Sequence, residues 1–300
     1  MTKHITKNFL AQNFICSIKI AFMGENLDNQ PKPYSYGGKP EEVLRLEIQG
    51  RVYSRLIENE IAFLSLKPGM QVLDAGCGTG FVTRRMAMEV FPGEVFGVDM
   101  DPLFIQEAKK LAAKEEASNI KFTLGNVDDL EFVDGVFDLS YSRLVLMHVE
   151  DPIRTVAELG RVTKRGGIVA ISDQDDGGII VYPELPKMMR MFSKYGSLAK
   201  MRGEDRFIGR KLFSIMERAG LSPITVYPFP IYATQHDPEM LRMLVSVPVQ
   251  IIESSKDSMI KQRLIGSEDY PEAMKEVQEF LAHPGAFAMG LTFLAVGNVT

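Results

Sequence analysis

The chain has only two cysteines, four histidines and no tryptophan among its 300 residues. Cys16 and Cys77 form no C-x-x-C pair, so neither a disulfide framework nor a zinc site is expected, and a reducing cytoplasm is the default. Apolar runs are short as well. None approaches the roughly 20 residues that crossing a bilayer requires, so no membrane partner is expected. Positive charge is not in excess: 34 Lys and Arg against 39 Asp and Glu leave a net charge of −5. A surface that reads phosphates calls for the opposite balance, so nucleic acid is not an expected partner. What remains is ordinary globular composition, 45% hydrophobic and 24% charged. The length suits one large domain, or a core with an appendage.

Three divisions are expected. Residues 1–38 read as an N-terminal arm, partly disordered. Its stretch from Phe9 to Met23 has the apolar look of a signal peptide, but Asn13 and Lys19 interrupt it and no small-residue cleavage site follows. It reads instead as a short amphipathic arm, or as sequence upstream of a start at Met23. Such an arm would allow an exchanged homodimer. Residues 39–175 read as an α/β core led by a helix, and 176–300 as helical cap insertions with the last strands of the sheet.

The leading helix should run from Pro40, which suits a first turn, through the apolar positions Val43, Leu46, Ile57, Ile61 and Leu64. Strands and helices then alternate. Strands are predicted at Gln71–Ala75, Val95–Val98, Lys121–Leu124, Phe137–Tyr141 and Ile168–Ser172. Helices are predicted at Phe81–Val90 and Pro102–Glu116, and from an Asp151 cap to about Lys164. That rhythm makes βαβ units: a Rossmann-like, doubly wound, mostly parallel sheet of seven strands, with helices on both faces. After Asp173 the pattern changes. Helices are predicted at Lys187–Met201, Gly209–Ala219 and Asp237–Ala282, the last broken near Ser246–Pro248 and near Ser267–Pro271. Ile224–Ala233 and Phe287–Val299 supply the closing strands.

The strongest local signal is Val72-Leu73-Asp74-Ala75-Gly76-Cys77-Gly78-Thr79-Gly80. A buried strand ends beside an acid, and a loop with glycine at alternate positions opens into a helix. Such a loop lets backbone approach a nucleotide closely, while the helix start offers unpaired N–H groups. The dinucleotide fingerprint is G-x-G-x-x-G, but here the third glycine comes one place early and Phe81 occupies its position. Asp74 sits in the approach to the loop. A carboxylate there suits a cationic amine better than a pyrophosphate, and S-adenosyl-L-methionine carries an ammonium and no phosphate. Asp99 ends the next strand about 20 residues on, where an acid accepts from ribose hydroxyls, and Met100 follows it.

Five blocks in order, from Val72–Gly80 through VFGVDMD, FTLGNVDDLEF and FDLSYSRLVLMHVEDP to the stretch ending at Asp173, resemble the class I S-adenosylmethionine-dependent methyltransferases. The subgroup most similar is that of ubiquinone and menaquinone biosynthesis. The resemblance implies that Asp74 and the backbone of Gly76, Gly78 and Gly80 hold the methionyl part. It implies that Asp99 holds the ribose and Met100 the adenine face, with Asn126 and the Val127 N–H at the adenine edge. Ser142 and Arg143 would lie where the methionyl end meets the acceptor. The YSYGGKPEEVLRLEIQ segment resembles a helix that folds over the cofactor, which makes Tyr36, Arg45 and Gln49 candidates for a lid.

The expected activity is in-line methyl transfer to a small-molecule acceptor. RNA or protein methylation on the same fold, and non-catalytic cofactor binding, are the alternatives. A base is required only if the acceptor loses a proton; His148 and His236 are the candidates, neither in a recognisable pattern. Cys77 reads as a small residue packed under the loop and Arg143 alternatively as an exposed residue. Met188, Met189, Met191, Met201 and Met216 read as core or as a pliable wall around an apolar acceptor. Asp173, Asp175 and Asp176 could line that site, but no further ligands follow, so no metal is expected.

Overall fold

In a computed structural model the described residues are 37–300, and residues 1–36 of the arm, including Tyr36 and Cys16, lie outside them. So does the arm-mediated dimer contact.

Helix α1 (Pro40–Val52) leads, and α2 (Ser54–Leu64) follows it. Next come β1 (Gln71–Ala75), α3 (Phe81–Val90), β2 (Glu94–Asp99), α4 (Pro102–Lys114), β3 (Ile120–Leu124), β4 (Phe137–Arg143), α5 (Pro152–Val162) and β5 (Thr163–Gln174). The remainder is β6 (Ile180–Tyr182), α6 (Pro186–Met201), α7 (Leu212–Arg218), β7 (Ile224–Thr234), α8 (Pro238–Lys261), α9 (Asp269–Ala282) and β8 (Phe287–Asn298). Asp101 and Asp151 cap α4 and α5 by accepting the second and third N–H groups, with proline in each first turn.

The sheet runs β3-β2-β1-β4-β5-β8-β6, with β7 on the other edge of β8. The first five strands pair in parallel, while β8 is antiparallel to β5, β6 and β7. Successive residues face opposite layers. Val72, Leu139, Ala170 and Leu294 pack with Ile57 and Ile61 of α2 and Met86 of α3. Leu73, Ala75, Ile171 and Ala295 pack with Val156 and Leu159 of α5 and Met216 of α7. A third cluster joins α6, α8 and α9 over the ends of β7 and β8. The chain leaves β1 toward β2 and β3, then returns to begin β4 on the other side. This reversal opens a crevice at the carboxyl ends of β1 and β4, the usual ligand position in such sheets.

Three expectations need correction. The sheet has eight strands among the described residues, because Ile180–Tyr182, within the Gly- and Pro-rich stretch, pairs with Phe287–Met289 of β8. Three residues are too few to show an alternating pattern. The helix expected over 40–64 is interrupted at Tyr53, whose N–H and C=O still bond to Gln49 and Ile57. The break expected at Ser246–Pro248 does not occur: α8 continues through Pro248. Proline removes one N–H, but Leu244, Val245, Val247 and Ile252 are buried on the cap cluster, and that packing holds the helix together.

Leu73 lies fully buried in the central strand. Leu73→Ala is expected to lower unfolding free energy by about 2–5 kcal/mol, read from urea denaturation. A loss below about 1 kcal/mol would mean that this layer is not close-packed.

Candidate active site

Beyond Ala75 the chain turns through Gly76, Gly78 and Gly80, all at positive φ (76°, 53° and 75°). Crowding fixes two of them further. A Cβ on Gly76 would lie 2.3 Å from a Val145 methyl, and one on Gly80 would lie 2.6 Å from the Phe122 ring. The loop is therefore pressed between the segment after β4 and the face of β3. Its N–H groups are ordered too: Gly76 and Cys77 donate to the Val98 carbonyl at 2.7 and 3.0 Å. Gly78 donates to the Asp99 carboxylate at 2.8 Å. Asp99 also accepts the Asp101 N–H at 2.9 Å, which leaves lone pairs for further donors. Cys77 is buried beneath the loop, where burial pushes its thiol well above its ordinary range, so it is no nucleophile.

Asp74 is 2% exposed and accepts the Thr83 hydroxyl at 2.6 Å. Among the described residues no Lys or Arg pairs with it. Burial drives its carboxyl up to about 7; the Asp99 charge adds to this, while Thr83 and Arg143 work against it. A buried acid without a cation, beside a cradle that a Cβ would fill, fits a ligand carrying an ammonium group.

Across the crevice Ser142 is buried and donates to the Ala75 carbonyl at 2.9 Å, so its proton ties β1 to β4 and is not offered to a ligand. Arg143 is not an exposed residue. Its side chain is 8% exposed, its Nε donates to Glu60 at 3.3 Å, and its guanidinium lies over the Tyr53 ring at 5.2 Å. Its Nη2 is buried and makes no hydrogen bond to any described residue. Glu60, fully buried on α2, also accepts the Tyr141 and Ser172 hydroxyls, each at 2.7 Å.

Helix α1 covers the loop. A Leu46 methyl stands 3.5 Å from the Cβ position of Gly78, and Thr79 donates to Glu47 at 2.6 Å. Gln49, on the same helix, accepts from Arg45 at 3.2 Å. Met100 is exposed at the end of β2. Asn126 uses its side-chain oxygen to accept the Asp128 N–H at 3.0 Å, and Val127 beside it packs against the α5 side of the core.

The two histidines part company. His148 ends a short 3₁₀ turn, Leu146–His148, with Nδ1 3.9 Å from Glu204. Burial, then the nearby Arg206 and Arg45, hold it down to about 3, so it is neutral and a feeble proton acceptor at neutral pH. His236 is exposed on the β7–α8 turn.

At the carboxyl end of β5, beside Tyr53, a cavity of about 120 Å³ opens under the cap. Met188, Met189 and Phe192 of α6 face Ile231, Val245 and Ile251 across it. Met191 and Met216 are core, and Met201 is exposed. The three acids diverge. Asp173 is buried, which pushes it up to about 7. Asp175 pairs with Arg210 at 2.6 Å, and Asp176 with Arg206 at 2.9 Å. Tyr53, Glu60, Thr83, Glu47 and Arg206 were not singled out from the sequence. Each acts through contacts distant along the chain, which local pattern does not reveal.

The crevice is thus that of a Rossmann-like protein, with a buried acid beside its glycine loop. A profile described as a methyltransferase domain matches residues 66–220. The chain is similar to arsenite methyltransferase of Halobacterium salinarum, 40% identical over 116 residues, covering 38% of this chain and 30% of that protein. An uncharacterized methyltransferase of Schizosaccharomyces pombe is 37% identical over 120 residues, covering 38% of this chain and 43% of that one. The chain thus spans less than half the length of either. The solved YcgJ protein from Bacillus subtilis shares the fold, with TM-score 0.54 and 17% identity over 81% of this chain and 98% of that one. The chain belongs to the class I S-adenosylmethionine-dependent methyltransferase family.

Asp74 gives a pH test. Its ordinary value is 3.8, so in the unfolded chain it ionises first, while the folded protein keeps the proton up to about 7. Between those values the unfolded state binds fewer protons, so this group's contribution to stability falls as pH rises and then levels off. Asp74→Asn should match the parent at pH near 4 and exceed its unfolding free energy at pH near 8 by on the order of 1 to a few kcal/mol. Urea midpoints at the two pH values read this; equal offsets at both would refute it.

Proposed function

We propose that this protein transfers the methyl group of S-adenosylmethionine to a small-molecule acceptor. The observation that carries the reading is Asp74, a carboxylate buried without a cation at the switch point of the sheet. It offers the methionyl ammonium a partner, and a cation at that distance favours the ionised carboxylate, whose proton leaves to solvent. The backbone of Gly76, Gly78 and Gly80 lets the ligand lie close. Asp99 takes the ribose hydroxyls with the lone pairs left by Gly78 and Asp101, and Met100 lies against the adenine face. Asn126 and Val127 meet the adenine edge, through an exposed side-chain oxygen that also accepts the Asp128 N–H and through a backbone N–H. Arg143, aimed by Glu60, takes the methionyl carboxylate through its unpartnered Nη2. Gln49 and Arg45 belong to the helix that covers the loop and excludes water, with Tyr36 ahead of it in sequence.

When bound, the cofactor supplies a sulfonium-activated methyl group. The protein's own task is then alignment: holding an acceptor in line and keeping water out. Neither histidine suits the role of base, so the residues that matter most are those that position. The small-molecule reading is supported by the cap of α6, α8 and α9, which roofs the space beside β5. Relatives named for arsenite and for phosphoethanolamine support it as well.

Calorimetry with S-adenosylmethionine and with NAD, followed by release of S-adenosylhomocysteine in a metabolite panel, tests the reading; preference for NAD would sink it. Truncating the ligand separates the two ends of the site. Asp99→Ala should weaken both S-adenosylmethionine and methylthioadenosine. Arg143→Gln should weaken S-adenosylmethionine by about 10–100-fold and leave methylthioadenosine, which has no carboxylate, unchanged. Equal losses for both ligands in Arg143→Gln would assign that residue a merely structural part.

A further inference from the structure

The cavity beside β5 has a wall chemistry that selects its occupant. It lies one strand beyond the crevice, and Tyr53 joins the two: the ring lines the cavity while its face meets Arg143 at the tip of β4. Apart from its polar end the lining is aliphatic, thioether or aromatic, with Met188, Met189 and Phe192 on one side and Ile231, Val245 and Ile251 on the other. At the polar end every charge is already matched. Arg206 grips Asp176 through two nitrogens at 2.9 and 3.2 Å. Asp176 also accepts from Gln174 at 2.9 Å. Asp175 is held by Arg210 through two nitrogens at 2.6 Å. An ionic ligand would bury its charge with no counterion, which is strongly unfavourable. One polar group remains uncommitted, since the Tyr53 hydroxyl makes no hydrogen bond to any described residue.

We infer that this cavity receives the methyl acceptor, and that the acceptor is an uncharged, largely apolar molecule presenting one hydroxyl or carbonyl to Tyr53. The inference rests on the methyl-transfer reading for the word acceptor, but the binding preference stands on the cavity alone. At about 120 Å³ the cavity suits a compact small molecule, such as one ring with a short chain. Two methionines and an aromatic ring adapt to such an occupant without being built for a single shape. A polymer end, which would bring phosphates or peptide groups into the cavity, does not fit this lining.

Three phenols of similar size distinguish the possibilities: para-propylphenol, tyramine and para-hydroxyphenylacetate, titrated by calorimetry into the full chain with S-adenosylhomocysteine present. The neutral phenol should bind at least about tenfold more tightly than either charged one. Met189→Asp, which puts a charge on the wall, and Ile251→Trp, which fills the space, should each weaken para-propylphenol by about tenfold or more while S-adenosylhomocysteine affinity is kept. Equal or tighter binding of a charged phenol, or no effect of either substitution, overturns the proposal. The S-adenosylhomocysteine titration reports on the proposed function separately. Its failure would sink that reading, whereas a charged phenol winning beside normal S-adenosylhomocysteine binding would sink only the inference about the cavity.

Discussion

The carboxylate of Glu60, shut off from solvent on α2, collects donors from two neighbouring strands: Tyr141 and Arg143 at the end of β4, and Ser172 on β5. Desolvating a carboxylate is costly, and only several well-placed donors offset it. Here three do. The consequence reaches beyond stability, because the same contacts fix where α2, which follows α1, sits on the sheet. They hold the Arg143 guanidinium over the Tyr53 ring. The crevice and the cavity inherit their common boundary from this one buried acid.

The polar parts of the two sites share a principle, that environment decides what an aspartate does. Asp74 and Asp173, buried with little more than backbone or a hydroxyl for company, are both driven up to about 7. For Asp175 burial works the same way, yet Arg210 holds it below its ordinary range. Sequence places Asp173, Asp175 and Asp176 within four residues, but the strand end separates them in space. One caps the turn after β4 through the Met147 N–H, one secures the turn before α7 through Arg210, and one neutralises Arg206. Proximity in sequence made them resemble a cluster; three-dimensional partners gave them unrelated duties.

That contrast explains what could be read in advance. Gln71–Ala75 and Phe81–Val90 fall where the pattern placed them, because a short apolar run, alternating glycines and an amphipathic helix are local signals. Asp74, the glycines and Asp99 come together at the crevice for the same reason: their positions follow from one strand–loop–helix unit and its neighbour. Glu60 left no such trace. It reads as one polar residue in an amphipathic helix, and its partners lie between 81 and 112 positions away. Thr83 was one more polar position in α3 until β1 was placed beside it. Pro248 misled in the opposite direction, since local chemistry favours a break and tertiary packing over the cap outweighed it.

The division of labour also follows the chain. Residues 66–220, which match the methyltransferase-domain profile, contain the glycine loop, Asp99, the tip of β4 and β5. They form the crevice in which we propose the cofactor lies. The cavity draws on that stretch for its α6 wall, but its opposite wall comes from Ile231, Leu244 to Ile251 and Ala288 to Thr292, and its boundary from Tyr53. All of these fall outside the matched region. Likeness to relatives therefore carries information about the ligand that the family shares and little about the one that this chain selects. The second must be argued from the wall itself, where matched ion pairs and an apolar surface oppose the burial of net charge.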